Sequence, residues 1–240
     1  MNLTKRLITT NVYSQRGNPT HIVLHTYGGV GRSLYNWFQT NTLGVSSHVG
    51  VFKDGNIEQY VEFSRIAGHA GNKDWNHKSV GIEHQDDAKW ANPNTYTAAQ
   101  YEASSQLVFT LCEKYNIPIT RERIVPHNQI VIKRACPGTL DINRIIKQAK
   151  QYMNELIASR AENIKLKTQQ AEEVAEYKKA IENLTRKRAD AEATNEDYLT
   201  NIKRLNAELL ACKKSDAPKT DFNLFISIYE SIKKIFKSSN

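Results

Sequence analysis

Two histidines and one cysteine of this 240-residue chain, His25, His127 and Cys136, form a set able to bind a metal. His25 follows the apolar run Ile22-Val23-Leu24. His127 and Cys136 stand nine residues apart in HNQIVIKRACPG, beside the turn Pro137-Gly138. Two imidazoles and a thiolate make three zinc ligands, not the four of a structural site, and the remaining position is where a metal acidifies water to a pKa of roughly 7. A hydrolytic zinc site is one reading. The other is that each histidine is an ordinary core or surface residue and Cys136 a small buried hydrophobe. The Cys-Pro-Gly run favours the first, because it fixes the backbone directly after the thiol, and the β-branched run would present His25 at a sheet edge.

Further candidates surround this trio. Glu83 stands near the end of SVGIEH (79–84), and a carboxylate closing an apolar strand is costly to bury without a partner or a task. It is therefore the candidate general base, the alternative being a surface charge at a strand end. His69 lies in Ala67-Gly68-His69-Ala70-Gly71, a small-residue loop suited to close approach by a ligand. His48 is either a packing histidine or part of the wall of the site, and His77 and His84 are read as surface residues. Gly28, Gly29 and Gly31 free the backbone near His25, but no G-x-G-x-x-G spacing marks a phosphate site.

Residue pattern assigns the strands and helices around these groups. Thr20 to Thr26 and Ser79 to His84 are apolar strands. Ser47 to Phe52 and Ile57 to Val61 form a hairpin across Lys53-Asp54-Gly55-Asn56. Arg32 to Asn41 is a short helix. Thr97-Ala98-Ala99-Gln100 has the form of a capping box opening a helix through Tyr115, with Cys112 on its core face, and Asn116-Ile117-Pro118 stops it. Ile124-Val125-Pro126 runs extended into His127, and a further helix starts near Asp141.

Composition divides the chain. All eleven glycines and all three tryptophans precede residue 139, and no Gly or Pro occurs from Thr139 to Ala217. The expected organisation is a globular domain over 1–150, a long helix or coiled coil over 151–216, and a short amphipathic helix over 217–240. In the second segment a heptad places Val174, Ile181 and Ile202 at a and Tyr177, Leu184 and Leu205 at d. This implies a homo-oligomer through the C-terminal helices, or a helix folded back on itself near Ala189 to Asp197. The last segment sets Phe222, Phe225, Ile226, Tyr229, Ile232, Ile235 and Phe236 on one face beside Lys233, Lys234 and Lys237. Such a helix packs within the oligomer or makes contact with an anionic membrane surface.

The net charge of +8 suits an anionic polymer such as a bacterial cell wall. No Lys/Arg cluster interleaves with aromatics, so nucleic acid is not an expected partner. Three widely spaced cysteines make no disulfide framework and point to folding in a reducing compartment. No apolar run at the start is long enough for a signal peptide, so a substrate outside the membrane would need another route of delivery.

Six pieces in order, HIVLHTYGG, SSHVGVFKDGNIEQYV, AGHAG, SVGIEH, YTAAQYEASSQLVFTLCEKYNIP and RIVPHNQIVIKRACPG, resemble the type 2 N-acetylmuramoyl-L-alanine amidase family. These are zinc amidases of phage endolysins and bacteria, which share a fold with peptidoglycan recognition proteins. The resemblance implies an α/β fold with a mixed central β-sheet flanked by helices, here followed by the helical tail. It implies Zn2+ as cofactor, held by His25, His127 and Cys136, with Glu83 as the catalytic carboxylate. Where the family often has a lysine or threonine two residues before the third ligand, this chain has Arg134, next to Lys133, so Arg134 or His69 would support the oxyanion. Where some relatives carry a tyrosine before the histidine of the second piece, this chain has Ser47. The implied reaction is hydrolysis of the amide between N-acetylmuramic acid and L-alanine in peptidoglycan, in the setting of a phage endolysin causing host lysis. Two rival roles are a peptidoglycan-binding module without catalysis and a virion-associated protein with the head on a coiled-coil stalk. Retention of the thiol argues against the first.

Overall fold

The computed structural model describes residues 3–28, 33–86, 96–190 and 196–214. In chain order the elements are β1 (Leu3–Lys5), β2 (Val12–Gln15), β3 (His21–Gly28), α1 (Leu34–Thr40), β4 (Val49–Val51), β5 (Ile57–Gln59) and β6 (Arg65–Ala67). Then follow α2 (Lys73–Lys78), β7 (Ser79–Asp86), α3 (Ala98–Tyr115), β8 (Ile124–Pro126), α4 (His127–Ile130), α5 (Ile142–Asp190) and α6 (Glu196–Lys214). Six strands form one sheet in the order β1-β5-β4-β7-β3-β8, and β2 pairs with β6 in a second, two-stranded sheet. Among the described residues only the β4–β5 pair of the large sheet is antiparallel, closed by the anticipated turn, where Phe52 N–H donates to Asn56 O at 2.9 Å and Gly55 takes φ +85°. The sheet is therefore mixed, with its longest strands, β7 and β3, parallel and central.

Helices cover one face of that sheet for reasons visible in the chain. Thr97 caps α3, its hydroxyl accepting from Gln100 N–H at 3.0 Å. Asn116 ends it in the left-handed region, at φ 55°. The face of α3 carrying Leu107, Val108, Leu111 and Cys112 is buried with the alternate sheet residues Ile22, Leu24, Val80, Ile82 and Ile124. Its partner is the start of α5, where Ile142, Ile145, Ile146 and Ala149 follow the i, i+3, i+4, i+7 pattern and join the same core. Burying each such isoleucine is worth roughly 1.5–3 kcal/mol. A smaller cluster of Ile8, Leu34, Phe38, Tyr60, Val61 and Ala67 forms around α1.

The chain divides into two compact units, one over Met1–Ala161 and one from Glu162 onward. In the first, Arg160 still pairs with Glu113 of α3 at 2.8 Å. In the second, the a and d residues Val174, Tyr177, Ile181, Leu184 and Ile202 are partly withdrawn from solvent, and Leu205 is buried within a single chain. α5 is described as far as Asp190 and α6 from Glu196, and residues 191–195, within the stretch where the sequence anticipated a turn, lie outside the described residues. The expected amphipathic helix over 217–240 lies outside the described residues. Among the described residues no helix is long and apolar enough to cross a membrane.

Candidate metal centre

Three neighbouring strands bring the site together at one level of the sheet. β3 and β7 run parallel with His25 opposite Glu83, and β3 and β8 run parallel with Leu24 opposite Pro126, so His127 leaves β8 beside His25. Residues in register on adjacent strands project to the same face. His25 and Glu83 therefore share the face away from α3. Thr26 and His84, one residue on, turn the other way, and His84 Nε2 lies 2.8 Å from Ser104 Oγ of α3.

Cys136 arrives from the loop between α4 and α5. Asn128 N–H donates to its carbonyl at 2.8 Å, folding the loop back against the start of α4. One ligand atom each from His25, His127 and Cys136 lies within 4.8 Å of the others. His25 Nδ1 is 3.8 Å from Cys136 Sγ, while His25 Nε2 is engaged with His69 Nδ1 at 3.0 Å. His127 Nε2 meets Ala70 O at 3.2 Å, which leaves its Nδ1 as the free nitrogen. Thr26 N–H donates to Cys136 Sγ at 3.2 Å, the interaction a thiolate sulfur accepts. Two imidazole nitrogens and a thiol sulfur, converging and already oriented from behind, are a donor set that fits zinc.

Residues 15–139 match the family described as N-acetylmuramoyl-L-alanine amidase, just over half of the chain and all of the site. The chain belongs to that amidase family. N-acetylmuramoyl-L-alanine amidase A of Achromobacter lyticus is 34% identical over 107 residues, covering 44% of this chain and 58% of that protein. The 1,6-anhydro-N-acetylmuramyl-L-alanine amidase AmpD of Haemophilus influenzae is 34% identical over 114 residues, covering 44% and 59%. The matches thus span less than two thirds of either curated relative. Among solved structures, the catalytic domain of XlyA is similar in fold, with a TM-score of 0.52 and 22% identity over 62% of this chain and 99% of that one.

The charges of this amidase-family site follow from burial. Desolvation, helped by the neighbouring imidazoles, holds His25 well below the ordinary histidine value, and desolvation likewise lowers His127. Both are therefore neutral, the form that binds a metal. Burial, then the charge of Glu83, pushes the Cys136 thiol up to about 12. Glu83 itself reaches solvent with part of its side chain, yet its dense surroundings raise its carboxyl from 4.5 to about 8. A cation bound beside these groups would favour their ionised forms. Arg134 and Lys133 are both exposed, and the positive charge of Arg134 reaches His127 and Cys136.

Other imidazoles differ from the reading of the sequence. His69 is 6% exposed and packs edge-on against His25, meeting the ring nitrogen that does not face Cys136. His48 is a packing residue: its Nδ1 accepts from Gly81 N–H at 3.0 Å and its Nε2 meets Arg65 O at 3.0 Å. His84, expected at the surface, is fully buried, its Nδ1 donating to His25 O at 2.8 Å. The strand continues two residues beyond it, which places it in mid-strand on the core face. Sequence reasoning did not single out Thr26, Asn76, Ser79 or Gly81. Of these only Gly81, a glycine inside an apolar strand, carried a signal, since such a glycine often marks close approach of another group.

Proposed function

We propose that this chain is a zinc-dependent N-acetylmuramoyl-L-alanine amidase that hydrolyses the amide joining the lactyl group of N-acetylmuramic acid to L-alanine in peptidoglycan. The observation that carries this reading is the convergence of His25, His127 and Cys136 within 4.8 Å, with Glu83 in register beside His25. Family membership and the similarity to two muramoyl-alanine amidases support the choice of bond. Bound there, zinc would supply Lewis acidity and lower the pKa of a water in the site. Glu83 takes the proton of the attacking water and hands it to the leaving amine, which its raised pKa suits near neutral pH. Arg134 supports the negative charge that develops on the carbonyl oxygen. The neutral imidazoles of His25 and His127 and the Cys136 sulfur would hold the metal.

The setting we propose is a phage endolysin, made in the host cytoplasm and acting on the wall after release, with the helical tail serving as an oligomerising element. The heptad face of α5 and α6 supports the last part. Activity on purified peptidoglycan tests the chemistry. Glu83→Gln should lose on the order of a hundredfold or more in rate while keeping its zinc. Full activity in that variant would remove Glu83 from the mechanism.

A further inference from the structure

We infer that His69 is a positioning residue that fixes the tautomer of His25, so that Nδ1 is the nitrogen offered to the metal. The inference deepens the zinc reading above and rests on it. A carbonyl oxygen can only accept, so the direction of the hydrogen-bond chain behind the site is set from its far end. Ser79 Oγ–H donates to Trp75 O, the carbonyl at that end. The Ser79 oxygen then accepts from His69 Nε2–H at 3.3 Å. With its proton on Nε2, the neutral His69 ring has an acceptor at Nδ1, which takes the hydrogen of His25 Nε2 at 3.0 Å. The lone pair of His25 is left on Nδ1, the atom 3.8 Å from Cys136 Sγ.

The neighbouring residue does the same for the second imidazole. Ala70 O accepts from His127 Nε2–H at 3.2 Å, leaving Nδ1 free there too. One side chain holds this segment in place, because Asn76 Oδ1 accepts from both His69 N–H, at 3.1 Å, and Ala70 N–H, at 2.7 Å. Gly81 makes room for the ring: a Cβ at that position would lie 2.5 Å from His69 Cγ. A single loop, clamped by Asn76 of α2 and seated on a bare stretch of β7, thus sets the protonated edge of both histidines.

The test uses the full chain, with zinc affinity read by competition against a chelating dye and the visible spectrum of the cobalt(II)-loaded protein. Loss of such an outer partner typically weakens metal binding by about 10–100-fold. His69→Ala should show that loss and a shifted cobalt spectrum. His69→Asn, whose side-chain oxygen occupies the position of Nδ1, should recover most of the affinity, and Ser79→Ala should give a smaller loss. His69→Ala binding zinc like the wild type would overturn the inference. So would His69→Asn binding as weakly as His69→Ala while both metal-free variants melt like the wild type. Should His69→Ala not fold, Ser79→Ala decides, and unchanged affinity there overturns it. Failure of the wild-type chain to bind zinc would instead overturn the proposed function.

Discussion

Replacing Glu83 by glutamine should change how the metal-free protein responds to alkali. The unfolded carboxyl ionises near 4.5 and the folded one near 8, so between those values the folded state keeps a proton that the unfolded state has lost. Stability therefore falls as pH rises through that window. At about 1.4 kcal/mol per unit, going from about pH 5 to about pH 7 costs the wild type up to about 2.7 kcal/mol. Partial access to solvent reduces this to roughly 1–2 kcal/mol. Glutamine does not ionise, so chelator-treated Glu83→Gln should gain that much on the wild type over the same interval in urea denaturation. Buried histidines act in the opposite sense, since His69 is held down to about 3 and His84 to about 4 against an ordinary 6.5. Their stabilisation is lost as pH falls below 6.5, but equally in both proteins, so it cancels in the comparison. Parallel stability curves for the two proteins would refute the idea that the fold forces a proton onto Glu83. Adding zinc should shrink the difference, because a nearby cation favours the carboxylate.

Three further outcomes are expected. Cys136→Ala and His25→Ala should lose both bound zinc and hydrolysis, and full zinc content in the cysteine variant by elemental analysis would refute the ligand assignment. Thr97→Ala removes the hydroxyl that caps α3 and should cost about 1 kcal/mol, lowering the melting temperature by roughly 2–4 °C. An unchanged melting temperature would show that the cap is not stabilising. Sedimentation of the full chain should show a homo-oligomer, whereas a monomer across the micromolar range would assign the heptad face of α5 and α6 to pairing within one chain.

The three candidate ligands, the α3 cap and the β4–β5 hairpin were legible because each is written in residues close together or in types with few other uses. A thiol followed by Pro-Gly, a Thr-x-x-Gln before an apolar helix, and Asp-Gly between two apolar runs all act locally. What could not be read was anything fixed by which strands become neighbours. That β7 lies against β3 sets His25 beside Glu83, buries His84 under α3, and puts the bare backbone of Gly81 under His69. No spacing in the sequence states those pairings. His69 shows the cost most clearly: its small-residue loop suggested contact with a ligand, while the fold turns the ring toward His25 and Ser79. Short elements such as β1, β2, β6 and α2 were likewise missed, each with too few residues to show a period.

A metal held by His25, His127 and Cys136 should support cleavage of one amide in peptidoglycan. Incubating the purified chain with peptidoglycan, with and without a chelator and with zinc restored, and identifying the new chain ends checks this. Free L-alanine amino termini, no new reducing sugar ends, loss of cleavage in chelator and recovery with zinc are expected. New reducing ends would assign the site to another bond, and amide cleavage indifferent to the chelator would rule out a metal.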